Sequence, residues 1–280
     1  MNIVTLTPEN LEQEHICCAI SNNKDCQVSA KKSWLASRFA DGLVFKKGDV
    51  RGKCFIEYMP AEKAWCPIEA ENYMFINCLW VSGQFKGHGN SNLLLDECIR
   101  DSKEKNKRGL CIVSSDKKRP FLSDPKYLKY KGFLVADSAK PYFELLYLPF
   151  GGAGADDLTE RDAAEGAGAG SAAANENANT LKPRFKPCAK SAKALRGDEH
   201  GFVLYYAHQC PFTAKYVPLI EELAKAKQLP FKAVRFETAA QAQSAPSPFT
   251  SYSLFYSGSF VTNEILSDKK FEKIVAELSL

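Results

Sequence analysis

The sequence contains no uninterrupted apolar run of the ~18 residues that a membrane-spanning helix needs, so no membrane span is expected. Its opening, MNIVTLTPENLEQEH, has neither a basic n-region nor an apolar core, so no secretory signal is read and a cytoplasmic protein is expected. Histidine is scarce, at four residues. The ten cysteines show no paired CxxC spacing, and the one adjacent pair is Cys17-Cys18. A zinc site and a disulfide framework are both set aside, and no metal is expected. The net charge of +4 is too small to argue for nucleic acid, and the basic residues are not interleaved with aromatics. What is present is ordinary globular material: 280 residues, 45% apolar and 25% charged, enough for two domains.

The composition breaks once. Between Gly151 and Thr180 more than half of the residues are Gly or Ala, none is aromatic, and six acids face one base. Such a stretch cannot bury enough apolar area to offset its ordering entropy, so residues 151–182 read as a flexible acidic linker. The flanking halves, 1–150 and 183–280, are both mildly basic and read as two domains.

In the first half, Thr7-Pro8-Glu9 is a helix start, with a helix expected to about Ile20. A short helix is expected over Lys32–Phe39, a hairpin over Leu43–Met59, and a central strand over Tyr73–Val81. A helix from Asn90 to Asn106 follows, with Leu94, Leu95, Cys98, Ile99 and Ser102 inward. A strand at Leu110–Ser114, a helix at Pro120–Lys131 and two last strands complete the half.

Gln84-Phe85-Lys86-Gly87-His88-Gly89 joins the central strand to the long helix. Small residues at 87 and 89 let the backbone approach a ligand, and the N–H groups of the turn and first helical turn converge on one place. With the helix dipole this makes an anion site suited to phosphates. It is not a Walker A loop. A dinucleotide fingerprint is a rival, with Asp116 as its acid, but the third Gly is missing and the first lies several residues past the strand.

The loop fills all three defined positions of Gln/Arg-x-x-Gly-x-Gly/Ala, and this half resembles the GNAT superfamily of acetyl-CoA-dependent N-acetyltransferases. Lys126 to Phe133 is similar to that family's Tyr-x-x-x-Gly-Phe helix ending. The resemblance implies a GNAT-like mixed sheet flanked by helices, with acetyl-CoA as co-substrate. It implies coenzyme contacts from Leu79, Trp80 and Val81 on the strand edge and from Gln84, Phe85, Lys86, Gly87, His88, Gly89 and Asn90 in the loop. The basic stretch from Lys103 to Arg119 is a candidate for the 3′-phosphate. The acceptor implied is a primary amine on a small molecule or peptide. The family's acid, a Tyr four residues before the Gly, is here Leu128, so Tyr127 and Tyr130 are the substitutes. Glu71 and Glu57 are the candidate bases.

The last hundred residues run strand (202–206), helix (to about 227), strand (231–236), hairpin (252–262) and final helix after Ser267. This order resembles a smaller thioredoxin-like α/β domain. Cys210-Pro211-Phe212-Thr213 is similar to a CPxC redox motif whose second cysteine is Thr. A thiol at a helix N-terminus is expected to have a lowered pKa, making Cys210 a redox candidate with Cys188 as a remote partner. Pro246 and Pro248 lie near the place of that fold's cis-proline. The pairing of the two domains resembles the YoaP family of bacterial N-acetyltransferases. Three readings stay open: an N-acetyltransferase, a monothiol redox protein centred on Cys210, and a non-catalytic acyl-CoA-binding module.

Overall fold

The computed structural model describes residues 1–19, 25–150 and 182–279; the expected linker falls almost wholly outside them. In chain order the first part gives β1 (Ile3–Leu6), α1 (Cys26–Arg38), β2 (Val44–Gly48), β3 (Cys54–Pro60), β4 (Ile68–Glu69), β5 (Tyr73–Val81), α2 (Asn90–Glu104), β6 (Gly109–Ser115), α3 (Pro125–Tyr130), β7 (Leu134–Ala139) and β8 (Phe143–Pro149). Seven of these strands form one mixed sheet in the order β1-β2-β3-β5-β6-β8-β7, in which β5 and β6 are parallel and the other neighbours antiparallel.

Strand β3 shows why the sheet has helices on both faces. Cys54, Ile56 and Tyr58 pack with Leu94, Leu95 and Cys98 of α2. Phe55 and Met59 point the other way, towards Val28, Trp34 and Leu35 of α1. A strand buried on both faces reads as a continuous apolar run, without alternation.

Helix α1 begins earlier than expected because the Asp25 carboxylate accepts the Gln27 N–H at 2.8 Å and caps it. The helix expected from Pro8 does not form; residues 8–14 are turns. The Asn10 side chain accepts the Thr7 N–H and donates to the Thr5 carbonyl, both at 2.9 Å. That local ring closes the chain into a turn before a helix can propagate.

The second part gives β9 (Arg184–Phe185), β10 (Phe202–Tyr206), α4 (Phe212–Ala226), β11 (Phe231–Arg235), α5 (Ala239–Ala242), β12 (Tyr252–Tyr256), β13 (Ser259–Thr262) and α6 (Asp268–Glu277). A four-stranded sheet has the order β11-β10-β12-β13, with β10 parallel to β11 and antiparallel to β12. The architecture is thus the expected α/β one, a helix-flanked mixed sheet with a smaller second sheet.

The two sheets share one core. Phe202 and Leu204 of β10 face α4 and α6, whereas Val203 and Tyr205 face the first sheet's α1 side. Helix α5 is a single turn, and the first domain covers the rest of that face. Strand β9 pairs with β4, and Phe185, 1% exposed, is pinned between the units. Burying one such ring contributes about 1.5–3 kcal/mol. Among the described residues the one cis peptide is Lys140–Pro141, so the bonds before Pro246 and Pro248, which lie near the place of the thioredoxin-like fold's cis-proline, are trans.

Candidate active site

The parallel pairing of β5 with β6 stops early. Tyr73, Met74 and Phe75 pair with Gly109, Leu110 and Cys111, and beyond them the two strands diverge. A bulge on β5 at Asn77, between the partners of Glu57 and Tyr58, bends the strand away. The sequence YMFINCLWV is evenly apolar, yet residues 73–76 are buried and 77–80 only half-buried, because the second group lines the opening. The Ser82 N–H donates to the Lys53 carbonyl on the β3 side at 2.9 Å. Counting back by twos, the N–H groups of Trp80 and Cys78 also face β3, so those of the alternate residues Leu79 and Val81 lie on the open edge, with no strand among the described residues to receive them.

At the end of β5 the loop 82–89 enters α2. Gly87 and Gly89 have φ of +79° and +74°, and a Cβ on either would meet nothing within 4 Å. The loop is held from below: the Phe85 ring lies against Gly52, and Asn90 Nδ2 donates to the Phe85 carbonyl at 2.9 Å. The first capping bond of α2 runs from the Leu93 N–H to the Gly89 carbonyl at 3.0 Å, so the N–H groups of Asn90, Ser91 and Asn92 have no helical acceptor. Gln84, Lys86 and His88 are exposed around them. The result is an open, donor-rich cradle at a helix N-terminus, which fits a phosphate group. Of the basic stretch, Lys105, Lys107, Lys118 and Arg119 are each paired with a carboxylate.

On the α1 face the opening widens into a cavity of about 390 Å³ between the parts carrying the two sheets. Glu57, Asn77, Cys78, Trp80 and the 118–123 loop line it from the side of the seven-stranded sheet, and Gln209–Phe212, Phe249 and Ser251 from the side of the four-stranded sheet. Its charged wall is a wholly buried pair. Lys31 Nζ contacts Glu57 Oε2 and donates to the Gln209 carbonyl at 2.6 Å. Glu57 Oε1 accepts from Trp34 Nε1 at 3.2 Å and Asn77 Nδ2 at 3.0 Å. Burial pulls the Lys31 ammonium down, but the Glu57 carboxylate beside it more than offsets this and its pKa is raised. With three donors on one carboxylate, Glu57 is engaged as an acceptor and organises the pocket wall.

Cys18, Cys78 and Cys210 all border this cavity. Cys210 does not have the lowered pKa expected of it. Burial pushes it up to about 11, and the hydrogen bond from the Phe212 N–H only partly offsets that. Cys210 borders the cavity but its thiol is buried, and that burial outweighs what the helix end offers a thiolate. Thr213, in the place of a second cysteine, is fully buried and its hydroxyl is spent on the Cys210 and Ala207 carbonyls. Cys188 is exposed on another loop, beside Gln243.

The two tyrosines separate. The Tyr127 hydroxyl is half-buried on the α2 face and donates to Asn92 Oδ1 at 3.2 Å, beside the glycine cradle. Burial, helped by Asp96, pushes its pKa up to about 12. Tyr130 is 84% exposed. Leu128 between them is fully buried in the α2-side core, which fixes the helix register. Glu71 lies in the exposed turn before β5, at the closed end of the split. Sequence reasoning missed Lys31, Lys53, Asn77 and Gln209. Lys31 alone left a signal: it sits on the apolar stripe of α1, three residues after Val28 and four before Leu35.

Among solved structures, the fold is similar to a GNAT family acetyltransferase from Brucella melitensis in complex with acetyl-CoA. That likeness has 16% identity, covers 54% of this chain and 88% of the other, and has a TM-score of 0.34. PaiA N-acetyltransferase from Thermoplasma acidophilum, in complex with coenzyme A, gives 16% identity, 54% and 100% coverage and a TM-score of 0.38. A YoaP-like family model matches residues 230–273. The "Uncharacterized N-acetyltransferase YoaP" of Bacillus subtilis (strain 168) is 38% identical over 280 residues, the full length of both chains. With 38% identity over the full length of both chains, the chain belongs to the YoaP family.

Proposed function

We propose that this protein is an acetyl-CoA-dependent N-acetyltransferase that acetylates a primary amine on a small molecule or peptide. The observation that carries the reading is the split between β5 and β6, open at one end to the glycine cradle and on the α1 face to the cavity. The name of the Bacillus subtilis relative supports it. The residues present fit the coenzyme: an uncrowded Gly87–Gly89 turn with first-turn N–H groups suits its pyrophosphate, and the free edge at Leu79 and Val81 suits an amide-bearing chain. The coenzyme supplies a thioester, whose C–S bond breaks as the amine nitrogen bonds to the carbonyl carbon.

In this reading the Val81 N–H polarises the thioester carbonyl, a contribution of about 2.7–4 kcal/mol for a well-placed donor. Tyr127 is the proton donor to the departing thiolate. It stays protonated at neutral pH and stands on the cradle side of the sheet. The amine enters on the α1 face, past Asn77, and loses its proton to water in the cavity. The sheet order β11-β10-β12-β13, with its one parallel pair, supports a thioredoxin-like reading of the second domain. Its raised thiol and buried Thr213 leave that domain without the chemistry of a redox centre, so the monothiol alternative is not favoured.

Calorimetric titration of the full chain with acetyl-CoA tests the proposal, alongside Gly89→Trp. Saturable binding that Gly89→Trp abolishes, with thiol release on adding an amine, is the expected result. No binding of acetyl-CoA overturns it.

A further inference from the structure

The lining of the cavity is unevenly divided between aromatic and charged side chains. Its walls are aromatic: Trp80 and Phe212 have ring centroids 6.4 Å apart, and Phe121 lies 6.3 Å from Phe212. Lys53 Nζ stands over both wall rings, 4.1 Å from the centroid of Trp80 and 5.2 Å from that of Phe212. Among the described residues no carboxylate pairs with it. The one carboxylate that lines the cavity, Glu57, is saturated by Lys31, Trp34 and Asn77. A polycation would therefore find no free counter-charge there; of the cations in the lining, Lys118 and Arg119 are paired with Asp124 and Asp116, whereas an anion would find Lys53 beside the Trp80–Phe212 wall.

A second polar group is left over at the split itself. Asn77 Nδ2 is committed to Glu57 at 3.0 Å, so the amide cannot flip without losing that bond. Its Oδ1 is buried and has no donor. Buried acceptors are rarely left so, and an unpaired one in a ligand cavity calls for an N–H from the ligand.

We propose that the acetyl acceptor is a small aromatic monoamine carrying a carboxylate, of the kind represented by an aromatic amino acid, held between the two domains. The ring lies among Trp80, Phe212 and Phe249, the carboxylate meets Lys53, and Asn77 Oδ1 accepts a hydrogen bond from the amine and so orients it. The second domain is then half of the acceptor pocket. This inference rests on the transferase reading above and names its substrate class. A cavity of about 390 Å³ is within the range of small-ligand sites.

The test is an acceptor panel on the full chain, with thiol release as readout: L-phenylalanine, phenethylamine, spermidine and a lysine-containing peptide. The expected order puts L-phenylalanine above phenethylamine by about tenfold or more in kcat/KM, the size of a charge-assisted contact. In Lys53→Met that ratio falls to near one, while the acetyl-CoA Kd stays unchanged. Lys53→Gln keeps the stem over the rings and gives the same collapse should Lys53→Met fold poorly. A preference for spermidine or the peptide overturns the proposal. So does equal use of L-phenylalanine and phenethylamine, failure of every aromatic amine, or a ratio that survives both Lys53 variants. A loss of acetyl-CoA affinity in those variants reassigns Lys53 to the coenzyme and also overturns it. Calorimetry with L-phenylalanine alone separates the two claims. Binding that is lost in Lys53→Met upholds the pocket even where acetyl-CoA fails to bind, and no binding overturns it.

Discussion

Lys31 donates to the Gln209 carbonyl at 2.6 Å, a contact between residues 178 positions apart that ties α1 to the loop leading into α4. The same Gln209 reaches the Asn77 carbonyl through its side-chain amide at 3.4 Å. The loop before α4 therefore touches the β5 bulge directly, and the shape of the split depends on both sheets.

Removing Lys31 exposes what that pair does. Lys31→Met leaves Glu57 fully buried with its main counter-charge gone, which costs about 3–5 kcal/mol. Urea unfolding of Lys31→Met against the Lys31→Met/Glu57→Gln double variant measures it. The double variant recovers much of the loss, because no charge is then stranded.

The cradle is the place where a side chain harms binding more than folding. At φ +79° and +74°, Gly87 and Gly89 impose about 1–2 kcal/mol on any other residue, but the space around them is open. Gly89→Trp shifts the thermal midpoint by a few degrees. It weakens acetyl-CoA at least about tenfold, which is 1.4 kcal/mol.

Tyr127→Phe keeps the ring packing and removes the proton donor. An expected fall in kcat of about a hundredfold, with the acetyl-CoA Kd unchanged, is read by pre-steady-state thiol release. Tyr130→Phe, at an 84% exposed position, leaves kcat where it was.

Cys210 makes a pH prediction. Its thiol keeps its proton up to about pH 11 in the folded chain, against 9.0 when free. Between those values the unfolded chain loses the proton first, so the folded state binds more protons and stability falls as pH rises through that window. Cys210→Ser flattens this part of the stability profile. Alkylation of Cys210 by iodoacetamide is slow at pH 7, and Cys210→Ser retains acetyl transfer.

Much of the molecule is legible in the chain itself. Tyr73–Val81, Phe202–Tyr206, Tyr252–Tyr256 and Ser259–Thr262 fall on observed strands to the residue, because apolar runs between turn residues leave few other arrangements. The helix at Pro8 is the instructive miss. Thr-Pro-Glu is a sound start, but Asn10 offers the backbone a tighter local ring, and a helix needs several turns to overcome its nucleation cost.

The sequence by itself determined most of the strands and the glycine turn, since periodicity, φ freedom and helix-end N–H groups act over a few residues; the order of the strands in the sheets and the β4–β9 pair came only from the fold. Only the tertiary structure decided what the site is made of. It buried the Cys210 thiol at the cavity's edge, where desolvation outweighs the helix end. It also turned Tyr127 towards the cradle by burying Leu128, and brought Lys31, Glu57, Asn77 and Gln209 together from four distant segments. Burial and long-range pairing depend on which surfaces meet, and no local pattern carries that information.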